Sequence, residues 1–256
     1  METYRKEQVD DLEVRIFENR AAMGVAAATQ AAAWIREVAG AKDEINIIFA
    51  SAPSQNEFLK ELGAAPLPWS RVNAFHMDEY IGIPADAPQG FANFLRRSIF
   101  DKLTLKSIHY MNSESEPEAE RDRYAEILER YPADIIFMGV GENAHIAFCD
   151  PGSAFLNDPE TVKIVALDEA SRTQQVNDKC FPTLEDVPKQ ALTITVPVML
   201  HVPHMMLVVP TKLKANAIRN VVRGPIDEMV PGSLIRTRKN MEKAILFTDE
   251  DGASLL

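Results

Sequence analysis

Short, densely apolar runs recur along the chain with helical stretches between them, and this alternation most constrains the fold. Ile45–Ala50 (INIIFA), Asp134–Val140 (DIIFMGV), Met205–Val209 (MMLVV) and Ala244–Thr248 (AILFT) each read as a strand buried in a sheet core. Arg71–Met77 (RVNAFHM) and Ile108–Met111 are further strands, and Val162–Leu167 and Ala191–Thr195 add extended segments. Between them, Ala21–Ala41 is rich in the best helix former. Gln55–Leu62, Ala92–Leu103, Pro117–Arg130 and Lys212–Arg223 also read as helices. Strands separated by helices predict an α/β fold, a doubly wound, mostly parallel sheet with helices on both faces. No repeat, long linker or low-complexity tract interrupts the pattern, so residues 1–256 are expected to form one domain.

In such a sheet, ligands sit at the carboxyl ends of the strands. Three strand ends carry polar clusters: Ser51–Gln55, Asp78-Glu79-Tyr80, and the turn from Asn143 to Asp150. The last follows the strand at Asp134 through Gly139-Val140-Gly141 and presents an imidazole and two carboxyl groups within nine residues, Glu142 to Asp150. That is the raw material of general acid–base chemistry. Locally each group also has a plain reading, Asp78-Glu79-Tyr80 as a solvated turn and His145 as a turn histidine bonded to backbone. His145 and Cys149 have i,i+4 spacing, but no further His or Cys stands near them in a ligand pattern, so no metal site is expected. Nothing local marks Cys149 as a thiolate nucleophile, and Met205–Met206 reads as core packing.

A formal net charge of −11 disfavours nucleic acid as the main partner, because phosphate backbones need clustered Lys and Arg. A single phosphorylated metabolite needs only a local cationic pocket. The first twenty residues are charged throughout and no apolar stretch spans a bilayer, so no membrane partner is expected. The two cysteines, Cys149 and Cys180, form no CxxC or disulfide framework, and a cytoplasmic setting is the expectation.

At the polar clusters the chain resembles the glucosamine-6-phosphate deaminase/isomerase family, which shares its Rossmann-like fold with 6-phosphogluconolactonases. Phe75–Pro84 (FHMDEYIGIP) is similar to the deaminase segment FNMDEYVGLP, and Gly139–Pro151 to GVGxDGHIAFNEP. Val187–Thr193 (VPKQALT) is similar to VPxxALT. The resemblance runs from about Ile45 to the C-terminus. It implies a sugar-phosphate substrate, with conversion of an amino-sugar 6-phosphate to a ketose 6-phosphate and ammonia. Asp78 would then shuttle a proton from C2 to C1, His145 would open the ring, and Asp150 would stand where the family has Glu. That side chain is one methylene shorter, and a bridging water is expected between it and His145. No metal or organic cofactor is implied, since the open-chain carbonyl itself stabilises the carbanion. Homo-oligomers are common in the family, so one is possible here.

The departures concern both the catalytic turn and the phosphate grip. Asn143 replaces an Asp that partners the histidine, and in a serine-protease triad a comparable exchange lowers the rate roughly 10⁴-fold. Ala144 replaces a glycine, and Cys149 an Asn. The family's TGGT phosphate loop reads Ser51-Ala52-Pro53-Ser54, where Pro53 has no N–H to donate. Ser51 and Ser54 keep hydroxyls, and the following helix start attracts an anion. The family's phosphate arginine falls at Lys179, with Arg172 as the rival position. The second cation falls at Lys214, with Lys212 as the alternate.

Three readings follow. The first is an isomerase or deaminase of hexosamine phosphates, centred on Asp78 and His145. The second is a sugar-phosphate binder of little activity, in which the Asn143 amide is the block and Asn143→Asp would create turnover. The third is a lactonase-type hydrolase in which His145 activates water.

Overall fold

A computed structural model of the chain describes residues 5–238 and 244–256. The chain opens with β1 (Arg5–Val9), β2 (Leu12–Phe17), α1 (Arg20–Ala41) and β3 (Ile45–Phe49). It continues through α2 (Asn56–Gly63), β4 (Val72–His76), β5 (Asp78–Tyr80), α3 (Phe91–Ser98), β6 (Ser107–His109), α4 (Pro117–Arg130) and β7 (Ile135–Met138). The remainder is β8 (Val162–Ala166), α5 (Glu169–Asn177), β9 (Gln190–Ile194), α6 (Val196–Leu200), β10 (His204–Val208), α7 (Ala215–Arg223) and β11 (Ala244–Asp249).

Eight strands form one sheet in the order β1-β2-β11-β10-β7-β3-β4-β6. Every pairing from β2 to β6 is parallel, and only the edge strand β1 runs antiparallel to its neighbour. Side chains alternate between two cores, as the pleat requires. Ile45, Ile47 and Phe49 of β3, Ile135 and Phe137 of β7, and Met206 and Val208 of β10 face one core, with α1, α2 and α3. Ile48, Ile136, Met138, Met205 and Leu207 face the other, with α4, α6 and α7. Burial on both faces is why these strands read as continuous apolar runs rather than alternating ones.

Helix α1 starts on Asn19, whose side chain accepts the Ala22 N–H at 2.9 Å. It lies tight against α2, since a Cβ on Gly24 would come within 2.6 Å of the Glu57 Cβ. Further along the chain, the structure departs from the sequence reading in several places. The segments at 162–167 and 191–195 do not join the main sheet. They pair antiparallel as β8 and β9 and take β5 as third strand, in the order β5-β9-β8. The helix expected over 92–103 ends at Ser98, and that over 212–223 begins only at Ala215 after a 3₁₀ turn. Strands β1 and β2 and helix α5 are additional elements. β2 (LEVRIF) alternates apolar and charged residues, the period of a half-buried strand, while α5 lacks an apolar stripe.

From β3 the chain winds outward to β4 and β6, then returns to β7 on the other side of β3. The winding direction therefore reverses between β3 and β7. At such a reversal the connections on either side diverge and leave a crevice beyond the strand ends.

Candidate active site

A cavity of about 220 Å³ occupies that crevice. Ser51–Ser54 enter it after β3, Met77 and Asp78 after β4, Gly139–Gly141 after β7, and Pro210 and Thr211 after β10. His145, Phe91, Phe148, Gln174, Gln175, Asp178, Lys214 and Arg20 complete the lining that bears on the chemistry.

Asp78 is 6% exposed, and among the described residues its carboxyl group makes no hydrogen bond. Burial, helped by the neighbouring Glu79 carboxylate, pushes its pKa well above the usual carboxylate range. His76 holds its backbone: the ring Nδ1 lies 2.8 Å from the Asp78 carbonyl, and Nε2 accepts the Met111 N–H at 2.9 Å. Both contacts fit a neutral ring, and burial lowers the His76 pKa to about 4. Glu79 points the other way. Its carboxylate accepts the N–H groups of Tyr80, Phe91 and Ala92 at 2.8–3.0 Å and so caps α3, although burial raises its pKa to about 7.

The imidazole of His145 lies across the Gly141 backbone. Its Nδ1 is 2.8 Å from Ser171 Oγ and 3.2 Å from Asp150 Oδ1. The Ser171 hydroxyl in turn donates a short hydrogen bond to Asp150 Oδ1. The expected water bridge between Asp150 and His145 is thus replaced by a serine from α5 and by a direct approach. Burial disfavours the Asp150 carboxylate, but bonds from His145, Ser171 and Asn143 outweigh it and lower the pKa. The Asn143 amide donates to Asp150 Oδ1 at 3.1 Å and to Asp168 Oδ2 at 3.2 Å, while its oxygen accepts the His145 N–H at 3.0 Å. Asn143 and Asp150 therefore stand behind His145, outside the cavity lining. Ala144 takes φ +67°, the left-handed conformation in which glycine carries no Cβ penalty.

Lys214 is 7% exposed, and its Nζ has no hydrogen-bond partner among the described residues. Burial lowers its pKa, opposed by Asp178 and Glu142. The buried Ser51 hydroxyl likewise has no partner among the described residues, and the Ser54 hydroxyl accepts from Gln55 Nε2 at 3.0 Å. Ala52 lines the same wall. The other expected cations lie elsewhere: neither Arg172, Lys179 nor Lys212 lines the cavity. Arg172 turns its guanidinium to the carbonyls of Leu184 and Val187. A cation outside the sequence reading, Arg20 at the start of α1, lines the cavity instead. It bonds Glu57 at 2.6 Å and the Pro53 carbonyl, tying down the loop after β3.

Cys149 is buried, its pKa pushed up to about 12 by desolvation, and its thiol donates to the Ile194 carbonyl at 3.4 Å. It is inert packing. No group of three potential metal ligands occurs among the described residues. No helix among them is long and apolar enough to cross a membrane.

Fold and site together define an α/β protein with a carboxyl group, an imidazole and a buried cation around one crevice. A family model for glucosamine-6-phosphate isomerases/6-phosphogluconolactonase matches residues 18–245. The glucosamine-6-phosphate deaminase of Streptococcus pyogenes serotype M1 is 31% identical over 217 residues, 84% of this chain and 89% of the relative. That of Streptococcus pneumoniae serotype 4 is 33% identical over 208 residues, 81% and 86% of the two chains. A solved monomeric glucosamine-6-phosphate deaminase of the NagB superfamily superimposes with a TM-score of 0.84 at 25% identity, over 95% of this chain and 99% of that one. The 6-phosphogluconolactonase of Thermotoga maritima shares the fold, with a TM-score of 0.76 at 16% identity over 92% and 98%. The chain belongs to the glucosamine-6-phosphate isomerase/6-phosphogluconolactonase family.

Proposed function

We propose that the protein isomerises and deaminates an amino-sugar 6-phosphate, giving a ketose 6-phosphate and ammonia. The observation that carries this reading is that Asp78 and His145 line one cavity with the unpaired Lys214. Of the nitrogens of His145, Nε2 is left without a partner among the described residues, which suits it to exchange a proton with the ring and anomeric oxygens during ring opening. Once the aldehyde forms, Asp78 removes the C2 proton and returns it to C1. As C1 is protonated, O1 takes up a proton and the nitrogen gives one up, so the aldehyde becomes a hydroxymethyl group and the C2 amine an imine; water then adds at C2, and ammonia leaves. A carboxylate with a raised pKa suits both halves of that transfer, because it neither releases nor retains the proton too readily. Ser51, Ser54 and Lys214 offer the phosphate its donors, and binding a dianion relieves the desolvation of the lysine.

Ammonia and ketose phosphate formed from glucosamine- or galactosamine-6-phosphate test the proposal directly. No ammonia from either sugar, with rapid hydrolysis of 6-phosphogluconolactone, would replace it with the lactonase reading. Phosphosugar binding without turnover of any of the three would leave the binder.

A further inference from the structure

The replacement of the family's Asp by Asn143 looks like a catalytic lesion in isolation, but its surroundings have a matching carboxylate. Asn143 Nδ2 spans two acids, Asp150 at 3.1 Å and Asp168 at 3.2 Å. Asp168 is the N-cap of α5 and accepts the Ser171 N–H at 2.6 Å, so it also sets the position of the Ser171 side chain. Ser171 is 1% exposed, and its hydroxyl touches both His145 Nδ1 and Asp150 Oδ1.

We propose that Ser171 is a positioning residue for His145, and that Asn143 and Asp168 form a matched pair in which the amide is required. The serine donates its own proton to Asp150, so its oxygen can only accept from the ring. That pins the ring proton on Nδ1 and leaves Nε2 as the lone pair facing the substrate. When Nε2 takes up a proton, no other proton needs to move: Nδ1–H still points to Ser171 and Asp150, whose charge balances the imidazolium. An Asp at position 143 would instead face two carboxylates across about 3 Å, where like charges resist ionising together. One of them would take up a proton, and the acceptor behind Ser171 would weaken. An Asn at 168 can still cap α5, so moving the charge from 168 to 143 conserves the balance of one amide and two acids.

This inference rests on the isomerase–deaminase reading only for its kinetic arm. The independent arm is the tautomer of His145, read from long-range ¹H–¹⁵N spectra of histidine-labelled protein. Wild type and Ser171→Thr are expected to hold the proton on Nδ1, and Ser171→Ala to show a mixture of tautomers. In kinetics, Ser171→Ala is expected to lower kcat about 10- to 100-fold with KM little changed, the loss typical of a group that orients a histidine from behind. Asn143→Asp is expected to lower kcat, and Asn143→Asp with Asp168→Asn to recover at least part of it. An Nε2–H tautomer in wild type, an unchanged tautomer in Ser171→Ala, or faster turnover by Asn143→Asp alone would overturn the proposal. A wild type that lacks deaminase activity yet shows the Nδ1–H tautomer and its loss in Ser171→Ala would sink only the functional reading.

Discussion

A Cβ on Gly141 would lie 2.2 Å from Cε1 and 2.3 Å from Nε2 of His145. The two residues also close the turn, with the Gly141 N–H donating to the His145 carbonyl at 2.9 Å. The imidazole thus occupies space that any side chain at 141 would take. Gly141→Ala is expected to push the ring off its place and reduce kcat by about 10²-fold, the effect of an ångström-scale misplacement. Steady-state kinetics beside a thermal melt would check this. Activity near wild type would mean that the ring works from a different position.

In the proposed role, the Asp78 carboxyl is a base only when ionised, and its surroundings favour the neutral form. kcat/KM is therefore expected to rise with pH through a value well above the ordinary carboxylate range. Asp78→Asn should lower turnover by about 10²- to 10⁴-fold and remove that limb. Deuterium incorporation at C2 of the substrate, followed by NMR, isolates the step. Continued exchange in Asp78→Asn would assign the base elsewhere.

Glu79 titrates in the fold at about 7 instead of the ordinary 4.5. The folded protein therefore holds a proton that the unfolded chain has already lost. Its stabilising effect is full below pH 4.5 and disappears as the pH rises to about 7, a difference of about 3 kcal/mol. Asp78 adds to the same trend. Urea unfolding between pH 4.5 and 7.5 is expected to show falling stability, with a shallower slope in Glu79→Gln. Equal slopes in the two proteins would remove Glu79 as the cause.

Lys214 carries a buried amine with no hydrogen-bond partner among the described residues. Inorganic phosphate at 100 times its dissociation constant should stabilise the wild type by about 2.7 kcal/mol. Lys214→Met should melt no lower than wild type, because it removes a desolvated cation. It should lose the phosphate response and raise KM for the sugar phosphate. Undiminished phosphate stabilisation in Lys214→Met would point to Arg20 as the main anion contact.

How much of this the residues alone reveal differs by element. α1 follows from its alanine content, and β3, β7, β10 and β11 from apolar runs whose alternate side chains reach two cores. β8 and β9 read as extended segments, but a short strand carries no record of its partner. Their antiparallel pairing with each other, and that of β9 with β5, depends on where β4 delivers Asp78. The α5 sequence EASRTQQVN has no apolar stripe, so neither the helix nor Ser171 stands out locally, although Asp168 three residues before is an N-cap signal.

By itself, the chain of residue types determined the layered α/β architecture and the family, and it marked Asp78 and His145 as the proposed acid–base groups, since these follow from local periodicity and contiguous motifs. Tertiary structure alone decided which charges share the cavity and which turn away. Arg20 and Lys214 enter it from distant parts of the sequence, whereas Arg172 turns its guanidinium from α5 to the carbonyls of Leu184 and Val187 in the segment that follows. Likewise, Asn143 reads as a missing acid until Asp168 is seen beside it. Hydrogen bonds between segments are set by packing in three dimensions, and no local pattern encodes them.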